Sequence, residues 1–257
     1  MNIARHRLQQ NFSRAAAQYD ARAQFQHIQT RRVFDAAQML LPVEARLLDI
    51  GCGTGYFARL AAEKRPAWNV PGLDIAAGMC AQAATHGSAI QADAAALPIA
   101  SGVLDAAVSS LCLQWVENKS AAFAEIARVL RPGGCAVIAT LGDRTLHELR
   151  AAATQADVPL GLLPMSHVEE YHAAIATAGL SVTLCEQRAE VAFYPSVSAL
   201  LDSMRNIGAG NNFAEPSRGF IGSKRWRAML AAYETLRTPR GIPATWEHLF
   251  MLLRKPS

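Results

Sequence analysis

Apolar positions recur in a helical pattern through the first forty residues, at Phe25, Ile28, Val33, Phe34 and Leu40, and the pattern ends at Pro42. It then shortens to a compact run, Leu47-Leu48-Asp49-Ile50, which breaks at Gly51, Gly53 and Gly55 into a second helical stretch, Tyr56 to Arg65, closed by Pro66. Strand, tight turn and helix start are the elements this predicts. Trp68 to Leu73 reads as the next strand, although Pro71 cannot donate to a central ladder. A helix follows from Ala76 to His86 with Gly87 as its cap, then strands Ala89 to Asp93 and Leu104 to Ser110. Ala121 to Leu130 is a helix stopped by Arg131-Pro132-Gly133-Gly134, and Cys135 to Leu141 a strand. Beyond it lie a helix, Val168 to Ala178, a strand, Leu180 to Val191, and a terminal strand, Thr245 to Leu253. Strands alternating with helices predict an α/β fold, a parallel sheet with helices on both faces.

That order divides the chain into a helical arm over residues 1–44, a core over 45–193 and 244–257, and an inserted helical cap over 194–243. The cap is too long for a turn and is placed over the carboxyl edge of the sheet, where doubly wound folds bind ligands. Glycines without a Cβ let a ligand approach the backbone after Ile50. The spacing excludes two tenants: Tyr56 stands where a dinucleotide fingerprint needs its third small residue, and no Gly-Lys-Ser/Thr ending makes a P-loop. Asp74, ending the second strand, can hydrogen-bond both hydroxyls of a ribose, so a nucleoside cofactor is expected.

Composition narrows the setting. Of 257 residues, 51% are hydrophobic and 18% charged, which predicts one elaborated globular domain and excludes disorder. No apolar run reaches the ~18 residues of a membrane span, and the start has no apolar signal core, so a cytoplasmic protein with no membrane partner is expected. Cys52, Cys80, Cys112, Cys135 and Cys185 are scattered, as reduced thiols would be, and Cys52 reads as a small packing residue. The histidines show no metal-ligand spacing, His167 and His172 being five apart, so no metal is expected. The net charge of +4 is uneven, with nine basic residues against Glu215, Glu234 and Glu247 from position 205 onward. Such a segment suits either an acidic partner or a solvated helix face.

Leu48-Asp49-Ile50-Gly51-Cys52-Gly53-Thr54-Gly55, Gly72-Leu73-Asp74, Ala92-Asp93-Ala94 and Arg128-Val129-Leu130-Arg131-Pro132-Gly133-Gly134, in that order, resemble the class I S-adenosylmethionine-dependent methyltransferases. The resemblance implies a Rossmann-like sheet and S-adenosyl-L-methionine as cofactor. It assigns cofactor contacts to Asp49, Gly51, Cys52, Gly53, Gly55, Ile75, Met79 and Ser110, the ribose to Asp74, and the adenine to Asp93 and Ala94. The flanks are similar to one family within it, the malonyl-acyl carrier protein O-methyltransferases of biotin synthesis, called BioC. Those flanks are Asn11 to Asp20 with Gln26, Leu113-Gln114-Trp115-Val116, Thr140-Leu141 with Leu146 and Glu148-Leu149, and Met204-Arg205-Asn206-Ile207-Gly208-Ala209. The chain departs from that family at Thr245-Trp246-Glu247 and at Asp143-Arg144.

The implied reaction is methyl transfer to the free carboxylate of a malonyl group on acyl carrier protein. That acid is already ionised, its ordinary pKa being near ~4, so no general base is required. Tyr19 is the candidate at the transferring methyl, excluding water and orienting an oxygen. Gln114 and Trp115 are expected at the substrate, and Arg205, or else Arg14, at the carboxylate, since a guanidinium grips two oxygens at once. Lys224, Arg225 and Arg227 could meet the acidic carrier. Two other readings stay open: an assembly factor acting on a partner protein, and a methyltransferase for another small acid or a quinone. Nucleic acid is disfavoured, since no Asn/Asp-Pro-Pro-Tyr/Phe motif follows the fourth strand.

Overall fold

The computed structural model describes residues 3–160, 162, 164–209 and 223–257, so Glu215 and Arg218 of the basic segment and positions 210–222 of the expected cap lie outside the described residues. The centre of the sheet is β1 (Ala45–Ile50), buried on both faces as an apolar strand must be when helices cover each side. It pairs in parallel with β3 (Gly72–Asp74) on one side and β5 (Leu104–Ser110) on the other. The main order is β4-β3-β1-β5-β6-β8-β7, where β4 is Ala89–Gln91, β6 Leu130–Leu141, β7 Ser181–Tyr194 and β8 Ile242–Arg254, and the short β2 (Trp68–Asn69) pairs with the start of β1 off this path. The last two run antiparallel to their neighbours. The single strand expected over 68–73 is two pieces, because β2 (Trp68–Asn69) stops before Pro71 and β3 resumes after it. Pro71 has no N–H for the ladder, but its carbonyl accepts from Asp49 N–H at 3.1 Å.

Successive residues of a strand face opposite ways, so Leu47 and Leu48 enter different cores. Leu48 and Ile50 pack with Phe123 and Ile126 of α5 (Lys119–Val129) and with Tyr171 and Ile175 of α7 (Val168–Thr177). Leu47 packs with Val33 and Phe34 of α2 (Gln24–Leu40) and with Phe57 and Leu60 of α3 (Tyr56–Lys64). Each such side chain contributes about 1.5–3 kcal/mol when fully buried. These two layers pack both faces of the strand that leads into the turn.

The arm is bent. Helix α1 (Ile3–Arg22) ends at the fully buried Ala23, and α2 leaves in a new direction. Phe12, Ala16 and Tyr19 of α1 pack against Ala76 and Met79 at α4 (Ala77–Ala83). Close approach needs Gly78, where a Cβ would stand 2.5 Å from the backbone oxygen of Ser13.

A third core joins Leu149 of α6 (His147–Gln155), Leu200 and Leu201 of α8 (Val197–Asn206), Met229 and Tyr233 of α9 (Ser223–Glu234), and Ile242. Glu148 fastens α6 to β8 by accepting from the backbone N–H and the hydroxyl of Thr245. The cap therefore draws on α6, which the boundaries read from sequence put inside the core. That helix buries Ala152 and Ala153 beside Leu149, and alanines carry little periodic signal.

Candidate active site

Strand order reverses at β1, whose neighbours β3 and β5 lead away in opposite directions, and a crevice opens there at the carboxyl edge. Asp49 and the glycine turn sit on it. Gly51 has φ +76°, and a Cβ on it would lie 2.2 Å from Cβ of Cys112, so both the backbone angle and the packing require glycine. Gly53 also has positive φ, but the space where its Cβ would point is open. Its N–H donates to Asp74 Oδ2 at 3.0 Å, while Ala76 N–H donates to Oδ1 at 2.8 Å.

Two acids therefore stand together at the ends of adjacent parallel strands. Burial, then the charge of Asp74, pushes Asp49 up to about 7. Burial also pushes Asp74 up, against the N–H groups of Ala76 and Gly53, which hold it down. A cation and hydrogen-bond donors from a ligand would relieve both. S-adenosylmethionine fits this demand, since it carries a sulfonium, an ammonium and a ribose diol, and main chain at Gly53 leaves it room.

The arm closes the crevice from above. Tyr19, half-buried, lines the cleft with Gly51, Gly53 and Thr54. Burial first, then Asp74 and Asp20, raise its pKa, so it stays protonated and cannot serve as a base. Asp20 accepts from the hydroxyl of Thr54 and from Arg59 at 2.6 Å, tying arm to turn and to α3. Burial pushes Asp20 up, but Thr54 and Arg59 together bring it below its ordinary value. His27 stacks on Tyr56 with ring centroids 4.0 Å apart and lies 3.5 Å from Asp20, and burial lowers its pKa. Thr30 donates to the carbonyl of Gln26 and lies 3.1 Å from the hydroxyl of Ser110.

The structure thus brings Tyr19, Asp49, Gly51, Cys52, Gly53 and Ser110 to one cleft, with Asp74 bonded to its floor. The Cys52 thiol is raised by burial and by the two acids, which removes it as a nucleophile. Gly55 starts α3 with φ +84°. Met79 is packed among Phe12, Ala16 and Tyr19 under the arm. Ile75 gives its carbonyl to Gln91, and Asp93 caps its own turn by accepting from Ala95 N–H at 2.9 Å, beside the buried Ala94. Gln114 is buried, its Oε1 accepting from Thr140 at 3.0 Å, and Trp115 meets Phe12 edge-on at 5.8 Å.

Arg14 and Arg205 meet in a second cavity, between α1 and α8, whose lining shares no residue with the cleft. Positions 11, 14, 15, 18 and 22 form one face of α1, while 12, 16 and 19 form another. Neither Arg205 nor Arg14, the residues expected at the reacting carboxylate, lines the cleft with Tyr19: Arg14 opens onto the second cavity from another face of α1, and Arg205 from the last turn of α8. Sequence reading missed His27, Thr30, Thr54 and Tyr56 in the cleft. Their signal was the spacing of Gln26, His27 and Thr30 on one face of α2, which gains meaning only once the bend at Ala23 folds α2 back over the turn.

A family model described as a methyltransferase domain matches residues 48–138. A malonyl-[acyl-carrier protein] O-methyltransferase of Gallionella capsiferriformans is 34% identical over 99% of this chain and 92% of its own. One from Geobacter sulfurreducens is 36% identical over 95% of this chain and 96% of its own. Among solved structures, the YcgJ protein of Bacillus subtilis aligns with TM-score 0.65 and 17% identity, covering 90% of this chain and 99% of that one, which is a likeness of fold.

Proposed function

This chain belongs to the malonyl-acyl carrier protein O-methyltransferases, and from that premise we propose that it methylates the free carboxylate of malonyl-acyl carrier protein with S-adenosylmethionine, in the cytoplasm, for biotin synthesis. When bound, that cofactor supplies an electrophilic methyl on a sulfonium. Asp74 holds the ribose, Asp93 and Ala94 flank the adenine, and the glycine turn with Asp49 and Ser110 receives the methionyl end. The observation that carries the proposal is the pair of acids Asp49 and Asp74 at the sheet's switch point, beside the cleft that Tyr19 lines with Asp49 and the glycine turn, Gly53 N–H joining Asp74 to it.

The acceptor arrives as a carboxylate, so the chain need not remove a proton. Tyr19 and Cys52 stay protonated in the cleft and so do not act as bases. Tyr19 is left with a donor hydroxyl that can orient one acceptor oxygen while its ring keeps water from the nucleophile. Thr140 occupies Oε1 of Gln114, which leaves the amide N–H2 to meet the substrate beside Trp115. In-line orientation of this kind lowers barriers by up to roughly 7–11 kcal/mol in favourable systems. Arg14 and Arg205 serve the substrate from the second cavity. Lys224, Arg225 and Arg227, exposed on α9, meet the acidic carrier, Arg225 now pairing with Asp157 at 2.9 Å in an exposed, weak contact.

A bacterial strain lacking its own malonyl-carrier methyltransferase tests the biotin role. The wild-type chain restores growth without biotin and the Asp74→Ala variant does not. A stably expressed, cofactor-binding chain that fails to restore growth overturns the proposal.

A further inference from the structure

We propose that the cavity between α1 and α8 is a phosphate subsite, which takes the phosphodiester of the pantetheine arm tethering the malonyl group and leaves the malonyl carboxylate to the cleft. The inference rests on the malonyl thioester reading and adds to it where the tether is held.

Arg14, Gln18 and Arg22 recur every four residues along α1, so their side chains stack on one face of the helix. Arg205 and Asn206 reach the same space from the last turn of α8. The cavity measures about 290 Å³. Arg22 Nη1 donates to Asn206 Oδ1 at 3.2 Å, bridging the two helices across the opening. Among the described residues, the one acid paired with any of the three arginines is Asp202, 3.0 Å from Arg205, with both side chains more than half exposed. Three guanidinium groups against one screened carboxylate leave a positive opening.

Charge alone would suit a carboxylate or a phosphate, and two arguments choose phosphate. The cavity lies on a different face of α1 from Tyr19 and shares no lining residue with the cleft, so a group held there is not the group that attacks the methyl. A carboxylate surrounded by three guanidinium groups would also lose nucleophilicity, the property the reaction needs. A phosphodiester is not consumed, it keeps its charge throughout, and its oxygens accept paired N–H donors from several planar forks. The pantetheine chain separates phosphate from thioester and so can pass around the arm helix.

The test compares malonyl-phosphopantetheine with malonyl-pantetheine as acceptors, reading the ratio of their kcat/KM values. Wild type favours the phosphorylated thioester by about tenfold or more, the scale of one or two hydrogen bonds to a charged group. Arg22→Ala and Arg14→Ala bring the ratio toward one, and Arg22→Lys restores part of it. A ratio near one in wild type, or equal losses on both thioesters in the variants, overturns the subsite while leaving the methyl-transfer reading intact. A protein that methylates neither thioester sinks that reading instead. Titration of phosphopantetheine by calorimetry then decides the cavity: binding weakened by Arg22→Ala upholds it, and no binding overturns it.

Discussion

Asp49 and Asp74 differ in what holds them. Asp74 takes two backbone N–H donors, whereas Asp49 is pushed from an ordinary 3.8 to about 7 by burial and by its neighbour. A carboxyl group with a raised folded-state pKa binds its proton more tightly in the folded chain than in the unfolded one. Its contribution to stability is therefore largest near pH 4 and falls as pH rises toward 7. A cationic ligand reverses the preference and expels the proton. Affinity for S-adenosylmethionine is thus expected to weaken as pH is lowered from 8 to about 5.5, by up to roughly tenfold per unit below the Asp49 pKa. Calorimetry in buffers of different ionisation enthalpy should register the released proton, and Asp49→Asn should abolish the slope; a flat profile in wild type contradicts the assignment. Asp74→Ala should cost at least about tenfold in cofactor affinity, read in the same instrument. Gly51→Ala should lower stability by about 1–3 kcal/mol in denaturant titration, since Cys112 and the positive φ both oppose a Cβ. The acids and the glycines were legible because their chemistry depends on spacing alone. The cavity that Arg14 and Arg205 share was not legible, because residue patterns do not show which faces of two distant helices meet.

At the scale of elements, the arm is the part on which access depends. It is fastened by Asp20 to Thr54 and Arg59, and by the close approach of Ser13 to Gly78. Gly78→Val places a side chain where the backbone of α1 must lie, without altering a residue of the cleft. Hydrogen exchange should accelerate along Ile3–Arg22 while β1 and β5 keep their protection, and methyl transfer should fall severalfold as water enters. Unchanged exchange in α1 would show that the arm is held elsewhere. The arm was visible in sequence as helix, but its bend was not. Ala23 is a good helix former, and only tertiary burial explains the break there. The split around Pro71 was foreshadowed by the missing N–H. Helix α6 was invisible because half of its buried face is alanine and that face takes its meaning from α8, α9 and the bonds of Glu148 to Thr245.

Across the whole molecule, the sheet with helices on both faces was readable from alternation, since each period change from two to 3.6 marks an element. The antiparallel end, β6-β8-β7, was not, because strand direction is set by connections that residue patterns do not encode. The division of labour that emerges is spatial. In the proposed reading the switch point of the sheet takes the cofactor, the arm covers it, and α8 with α9 takes the tethered acceptor. The central claim is that an ionised malonyl carboxylate is the nucleophile, and its most direct measurement is the intact mass of two carrier proteins after incubation with the chain and S-adenosylmethionine, one bearing malonyl and the other malonyl with its free acid replaced by an amide. The malonyl form is expected to gain one methyl, lost again in mild base, and the amide to gain none. Methylation of both forms, or of the carrier without a malonyl group, would contradict it.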